Sequence, residues 1–338
     1  MSDYVMLVAP SANRVYAEAA PALAVAELAV TTGIEGAHRI RIAGVDYVGL
    51  GADRLDPVQL ARQSSALALF ELADGLLRPV ELPRVRVMDD DLLTITKYAG
   101  KTNEMFTRLL LHVTCAQVRT GGERAALPGG GVQLDVLDPM AGLGHDPGGG
   151  LRRRSRETVG HRRGLGSAHI YADVRFGVEL DERAVEQLAA FMRTYLRRKR
   201  LKHSAEVRPV RRQGRVIGHR FDASTAPAVA TSGHPAVEGA PALTMSVLTG
   251  DTRDAAALFG RRRFDAIVTD APYGIVHGAR RRGRDAAAGD GDGRAERSPA
   301  ALLAEAVPVW AGQLRGGGAL GIAWNTLGLD RDGLAAVC

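Results

Sequence analysis

The sequence predicts an α/β chain in which a small α/β unit precedes a doubly wound, mostly parallel sheet. Three observations predict it. From residue 132 onward, short apolar runs recur and five of them end in acidic, Gly/Pro or other polar residues. Stretches able to form helices separate most of these runs, which is the alternation of a parallel sheet. Ahead of them, residues 1–90 alternate strand-like and helix-like segments of their own, and 338 residues suffice for two domains at about 150 each.

Taken in order, Tyr4 to Val8 is a short apolar strand and Ala17 to Val30 an Ala-rich helix. Ile40 to Leu50 is a β-branched stretch, and Pro57 to Leu72 reads as a second helix opening behind Asp56 as its N-cap. Leu92 to Lys97 reads as a strand. Asn103 caps the next helix, Met105 to Val118, whose Phe106, Leu109, Leu110, Val113 and Ala116 recur at helical spacing. The five runs follow: Leu134 to Leu137 into Asp138-Pro139, Val174 to Val178 into Glu179, Met245 to Leu248 into Asp251, Ala266 to Val268 into Asp270, and Ala319 to Ala323 into Trp324-Asn325. Helices are expected at Glu182 to Lys202, Thr252 to Phe259 and Pro299 to Leu314, with a hairpin turning at Gln213-Gly214. The chain thus divides into an N-terminal unit, 1–90, and a sheet domain, 91–338. The latter is interrupted by an irregular Arg/Gly-rich insertion at 145–172 and a Pro/Ala/Gly-rich loop at 221–243.

Composition narrows the classes. Apolar residues make up 46% and charged residues 24%, which excludes a chain disordered throughout. Two cysteines, Cys115 and Cys338, exclude a disulfide framework and make the reducing cytoplasm the expected compartment. No histidine pair stands at ligand spacing, so no metal is expected. The most apolar stretch, Tyr16 to Val30, is broken by Glu18, Pro21 and Glu27, so no membrane partner is expected. The net charge of +6 is local: between His145 and Arg220 stand 19 Lys plus Arg against 8 Asp plus Glu, or +11, leaving −5 elsewhere. It falls in the insertion (Arg152 to Arg163), a helix end (Arg197 to Lys202) and the hairpin (Arg208, Arg211, Arg212, Arg215). Such runs suit a solvated face and a nucleic-acid surface equally.

Two strand ends carry the chemistry. In Asp138-Pro139-Met140-Ala141-Gly142-Leu143-Gly144 an acid and a Gly-rich turn follow an apolar strand, letting backbone approach a ligand; turn chemistry or a dinucleotide loop would read the same. In Thr269-Asp270-Ala271-Pro272-Tyr273-Gly274 a carboxylate, a rigid turn and an aromatic ring offer an acceptor for an amino group, a fixed carbonyl and a stacking plate. That set suits an exocyclic amine on a flat base. A dinucleotide oxidoreductase gives no account of it.

Together these elements resemble the class I S-adenosylmethionine-dependent methyltransferases, and Asp270 to Tyr273 resembles the Asp-Pro-Pro-Tyr signature of enzymes that methylate base amino groups. The closer similarity is to the tRNA guanosine-N2 methyltransferase family, through Lys101-Thr102-Asn103-Glu104-Met105-Phe106-Thr107-Arg108-Leu109-Leu110-Leu111 and most of Thr96 to Trp324. The resemblance implies a Rossmann-like methyltransferase sheet, an RNA-binding N-terminal domain, S-adenosyl-L-methionine as cofactor and tRNA or another RNA as partner. It implies that Asp270, Pro272 and Tyr273 act on the base. Asp138, Ala141, Gly142 and Gly144 would line the methionine end of the cofactor. Glu179, with Asp181 as runner-up, would take the ribose hydroxyls, and Asp251 the adenine amino group. Asp181 and Glu179 also suit the start of the helix near Glu182, and Asp251 also suits an N-cap. An adenine-N6 DNA methyltransferase and an inactive nucleic-acid-binding relative are the alternatives.

The pattern departs from the family in three places. Ala271 stands where the signature has its first proline. After Gly144 the family opens a Thr-rich helix, whereas this chain runs into His145-Asp146-Pro147-Gly148-Gly149-Gly150 and six arginines. At Leu334 to Cys338 the chain stops inside an apolar helical run, so the last two strands of such a sheet are expected to be missing, as in a truncated or frameshifted product.

Overall fold

The computed structural model describes residues 2–52, 55–83, 85, 103–120, 123–124, 134–141, 175–212, 214–226, 244–271 and 299–338. The strand expected at Leu92 to Lys97 and the insertion at 145–172 lie outside them.

The N-terminal unit runs β1 (Ser2–Val8), α1 (Arg14–Thr32), β2 (His38–Ile42), β3 (Val45–Ala52), α2 (Pro57–Ala61), β4 (Ala66–Ala73) and β5 (Leu76–Val80). Its sheet has the order β2-β3-β1-β4-β5 and every pairing is antiparallel, the split βαβ arrangement with one added strand. Asn13 starts α1 by accepting from the Tyr16 amide at 3.1 Å. The β2–β3 and β4–β5 turns use Ala43-Gly44 and Asp74-Gly75, all with positive φ, as two-residue hairpins require. Met6, Ala24, Leu28, Val48, Leu50, Leu60 and Leu69 form the core. The helix expected over Pro57 to Leu72 is corrected here. Asp56 does cap it, but it ends at Ala61, and Ala66–Ala73 is a strand paired on both sides. The Ala/Leu/Glu content of that strand favours helix, and pairing between β1 and β5 overrides the propensity.

The second unit contains α3 (Glu104–Cys115), β6 (Arg119–Thr120), β7 (Glu123–Arg124), β8 (Val136–Asp138), β9 (Phe176–Glu179), α4 (Glu182–Arg198), β10 (His203–Arg212), β11 (Arg215–Thr225) and β12 (Thr244–Thr249). A 3-10 turn at Thr252–Asp254, α5 (Ala255–Phe259), β13 (Phe264–Asp270), α6 (Ala300–Ala311), β14 (Leu314–Ala323) and α7 (Arg331–Ala335) complete it. The sheet order is β10-β11-β12-β9-β8-β13-β14, with β12, β9, β8, β13 and β14 all parallel and the β10–β11 hairpin added antiparallel at one end. The loop expected at 221–243 therefore begins later. Phe221, Ala223 and Thr225 alternate inward at the end of β11, and the rest of that loop from residue 227 lies outside the described residues.

Alternation along the strands dresses both faces. Val136, Ala266 and Val268 meet Leu111, Cys115 and Ala116 at the α3 side, while Leu137, Phe176 and Ile267 meet Leu303, Val307 and Trp310 of α6 on the other. Val185, Leu188, Met192 and Leu196 of α4 cover Phe221, Met245 and Val247. A Cβ on Gly321 would overlap the Thr114 hydroxyl, so glycine lets α3 lie directly on β14. At the amino ends of the strands, Asp135 takes Arg315 at 3.0 Å, Arg262 at 3.5 Å and Arg175 at 3.6 Å, cross-linking four strands. Among the described residues no helix is long and apolar enough to cross a membrane.

A buried polar node joins the two units. Glu27 of α1, fully buried, accepts from the Ser64 amide at 2.9 and 3.0 Å and from the Ser64 hydroxyl at 2.5 Å, and its Oε1 lies 2.8 Å from His112 Nδ1 of α3. Burial and the Glu27 charge hold the nearby Tyr16 phenol at about 12. Asn103, which caps α3 by accepting from Phe106, also donates to Ser11 at 2.8 Å. Thr114 lies at Gly321 and Arg119 at Gly317, so α3 runs antiparallel to β14 and its first turn points toward the carboxyl ends of the parallel strands. The N-terminal unit is thus fastened on the side where a doubly wound sheet binds ligands.

Candidate functional site

The chain proceeds outward from β8 through β9 to β12, then crosses back to β13 and β14, so the strand order reverses at β8. A crevice opens beyond the carboxyl ends at such a reversal. Asp138, Glu179 and Asp270 are the last residues of β8, β9 and β13, the three adjacent strands at this point.

Asp138 is fully buried; its Oδ1 accepts from the Met140 amide at 3.1 Å and from the Thr269 hydroxyl at 3.2 Å. Burial pushes its carboxyl well above the usual range, and the charges of Asp270 and Glu179 add to the rise against those two hydrogen bonds. Glu179, 8% exposed, accepts from the Asp181 amide at 2.8 Å, and its carbonyl accepts from the Gly250 amide at 2.9 Å, tying the β9 and β12 ends together. Asp270, 7% exposed, stands on a strand whose continuation is held by Ala271 N donating to Ala323 O at 2.7 Å. Ala141, buried, donates its amide to Val178 O at 2.8 Å, folding the start of the Gly-rich turn across the end of β9.

The remaining candidates sit differently. Asp181 caps α4, accepting from Arg183 N at 2.9 Å. Asp251 caps the 3-10 turn through Arg253 N at 2.9 Å, and the Arg253 guanidinium grips both its oxygens at 2.9 and 2.6 Å before reaching Glu305 at 3.2 Å. That pairing raises the Arg253 pKa and fixes the direction of the Asp251 carboxylate. Gly142, Gly144, Pro272 and Tyr273 lie outside the described residues. The structure therefore brings Asp138, Glu179 and Asp270 together and gives Asp181 and Asp251 capping roles at the rim. Sequence reasoning missed two supporting residues. Thr269 offered a signal as the polar residue before Asp270, whereas Arg253 looked like an ordinary surface charge.

Three carboxylates converging at partly dry strand ends favour a ligand rich in N–H and O–H donors or carrying positive charge. Among the described residues no group of three His, Cys, Asp or Glu is placed to hold a metal ion. Because the fold raises the Asp138 pKa, the native state holds its proton more tightly than the unfolded chain. Stability from this group is full below about pH 4, the unfolded aspartate value, and is lost as pH rises through the native value. Asp138→Asn keeps an acceptor for Met140 and Thr269 without the charge. Its melting temperature should match wild type near pH 4 and exceed it by about 3 °C or more at pH 8; an equal difference at both pH values would contradict this.

No protein-family model matches the chain, and no curated protein or solved structure matches it.

Proposed function

We propose that this chain transfers a methyl group from S-adenosyl-L-methionine to an exocyclic amino group of a nucleic-acid base, guanine N2 of an RNA first. The observation that carries the proposal is the meeting of Asp138, Glu179 and Asp270 at the strand-order reversal, with Asp270 opening the Asp-Ala-Pro-Tyr run. The donor set fits the cofactor: carboxylates suit ribose hydroxyls and the ammonium and sulfonium charges, and none of these needs a metal or a thiol.

Bound S-adenosylmethionine would supply an electrophilic methyl carbon. Glu179 would accept from the ribose hydroxyls, Asp251 in the orientation set by Arg253 would take the adenine amino group, and Asp138 with Ala141 would form the floor. Asp270 accepts an N–H of the base amine, which concentrates the nitrogen lone pair that is otherwise drawn into the ring. Asp270 would stabilise the positive charge that the base nitrogen takes on as it gains the methyl group, the demethylated cofactor leaving as a neutral thioether, before the proton passes to Asp270 or to solvent. The target base leaves its stack to reach the crevice.

Titration calorimetry with S-adenosylmethionine and tritiated methyl transfer to unmodified tRNA transcripts test this. The expected results are micromolar binding and label on RNA. No heat at millimolar cofactor overturns the proposal, and label on duplex DNA alone replaces RNA by DNA.

A further inference from the structure

The β10–β11 hairpin does more than widen the sheet. Its strands pair in register from His203↔Thr225, but β12 covers β11 only from Ser224 to Arg220. Gly218 packs so closely on the Thr249 carbonyl that a Cβ there would overlap it, and His219 pairs with Glu182 at the first turn of α4. Gly218 and His219 are therefore level with the carboxyl ends of the parallel strands. The turn at Gly214 lies four residues farther, so the hairpin projects past the floor of the crevice by about 13 Å at roughly 3.3 Å per residue.

The projecting part carries charge of one sign. Residues 210–218 contain three arginines and no acid, and Arg211, Arg215, Val216 and Ile217 are all exposed. Arg208 is neutralised by Glu206 and Arg220 by Asp222, both nearer the base of the hairpin. Among the described residues no carboxylate pairs with Arg211 or Arg215. Protection of an exposed edge accounts for Pro209 and Arg208 on the outer strand β10, but not for Arg215 or the uncovered Val216 and Ile217 on β11. The basic end of α4, Arg197 to Lys202, lies at the opposite, amino ends of the strands, so the charged segments do not form one face. Residues 1–83 hold 6 basic against 10 acidic side chains, a net of −4, which suits a polyanion poorly.

We infer that the tip of the β10–β11 hairpin is the arm that holds the RNA while one of its bases occupies the crevice, with Arg211 on one face of the hairpin and Arg215 on the other reaching backbone phosphates, and Val216, on the Arg211 face, against the neighbouring nucleotide. The inference rests on the methyl-transfer reading for the crevice but is tested apart from it. Affinity for an unmodified tRNA transcript is measured by fluorescence anisotropy across a KCl series, for wild type, Arg211→Ala/Arg215→Ala and Arg211→Lys/Arg215→Lys. Each phosphate contact contributes about 0.7 to 0.9 to the slope of log affinity against log salt, so the alanine pair should lower the slope by roughly 1.5 and the lysine pair should keep it. Affinity of the alanine pair should fall about tenfold at moderate salt, with cofactor binding by calorimetry and the melting temperature unchanged. A folded alanine pair with wild-type affinity and slope overturns the arm, as does a wild type that does not bind the transcript or that prefers duplex DNA of equal length. Arm-dependent RNA binding without cofactor binding sinks methyl transfer and leaves the arm standing.

Discussion

On the proposed methyl transfer, Asp270→Ala should reduce turnover by about two to three orders of magnitude, the usual effect of removing one group aimed at developing charge. The fold should survive. Asp270 is the last residue of β13, whose backbone is held by β8 and β14, and Ala271 N donates to Ala323 O whatever the side chain. Removing its charge also relieves Asp138, whose ionisation the Asp270 charge opposes, so the variant should melt no lower than wild type at pH 8. Asp270→Asn is the sharper probe. It is isosteric but turns an N–H donor toward the amine, so transfer should fall as far as in the alanine variant while S-adenosylmethionine affinity stays within a few-fold. Wild-type turnover by either folded variant would remove Asp270 from the chemistry and the strand-end assignment with it.

What the sequence disclosed and what it hid divide along a physical line. The strand ends were legible because each short apolar run stops at a polar residue that interrupts the apolar pattern, so Asp138, Glu179 and Asp270 mark carboxyl ends without knowledge of pairing. The caps Asn13, Asp56 and Asn103 act within three residues, and of these the sequence identified Asp56 and Asn103. Ala66–Ala73 could not be recognised as a strand, because its residues favour helix and only β1 and β5 decide otherwise. Arg253 and the Glu27 node were hidden for another reason. Apart from Asp251, two residues from Arg253, their partners stand 52 residues away at Glu305, 37 away at Ser64 and 85 away at His112, and nothing local marks those long-range contacts. Glu27 showed in the sequence only as an interruption of an apolar run, whereas the fold makes it the point at which three segments meet.

Glu27→Ala should be the most damaging single substitution away from the crevice. It strips acceptors from the Ser64 amide, the Ser64 hydroxyl and His112 Nδ1, all in a region with almost no access to water. Leaving a buried donor without its acceptor costs about 1–3 kcal/mol, and here the Ser64 amide, the Ser64 hydroxyl and His112 lose one together. The exposed Arg14–Glu18 pair on the same helix provides the control, since surface pairs of that spacing contribute about 0.3–0.5 kcal/mol and Glu18→Ala should be nearly silent. Glu27→Gln retains an acceptor for Ser64 and should fall between the two. A double-mutant cycle of Glu27→Ala with His112→Ala, read by urea unfolding, should give a coupling of at least about 1 kcal/mol, because each single change strands the other residue of the pair. Equal losses for Glu27→Ala and Glu18→Ala, or strict additivity in the cycle, would show that the node carries no joint energy. If it does carry it, loss of Glu27 should also free α1 from α3, and amide exchange should accelerate at Ser64 before it does in β13, since a joint between two units opens at lower cost than the core of either.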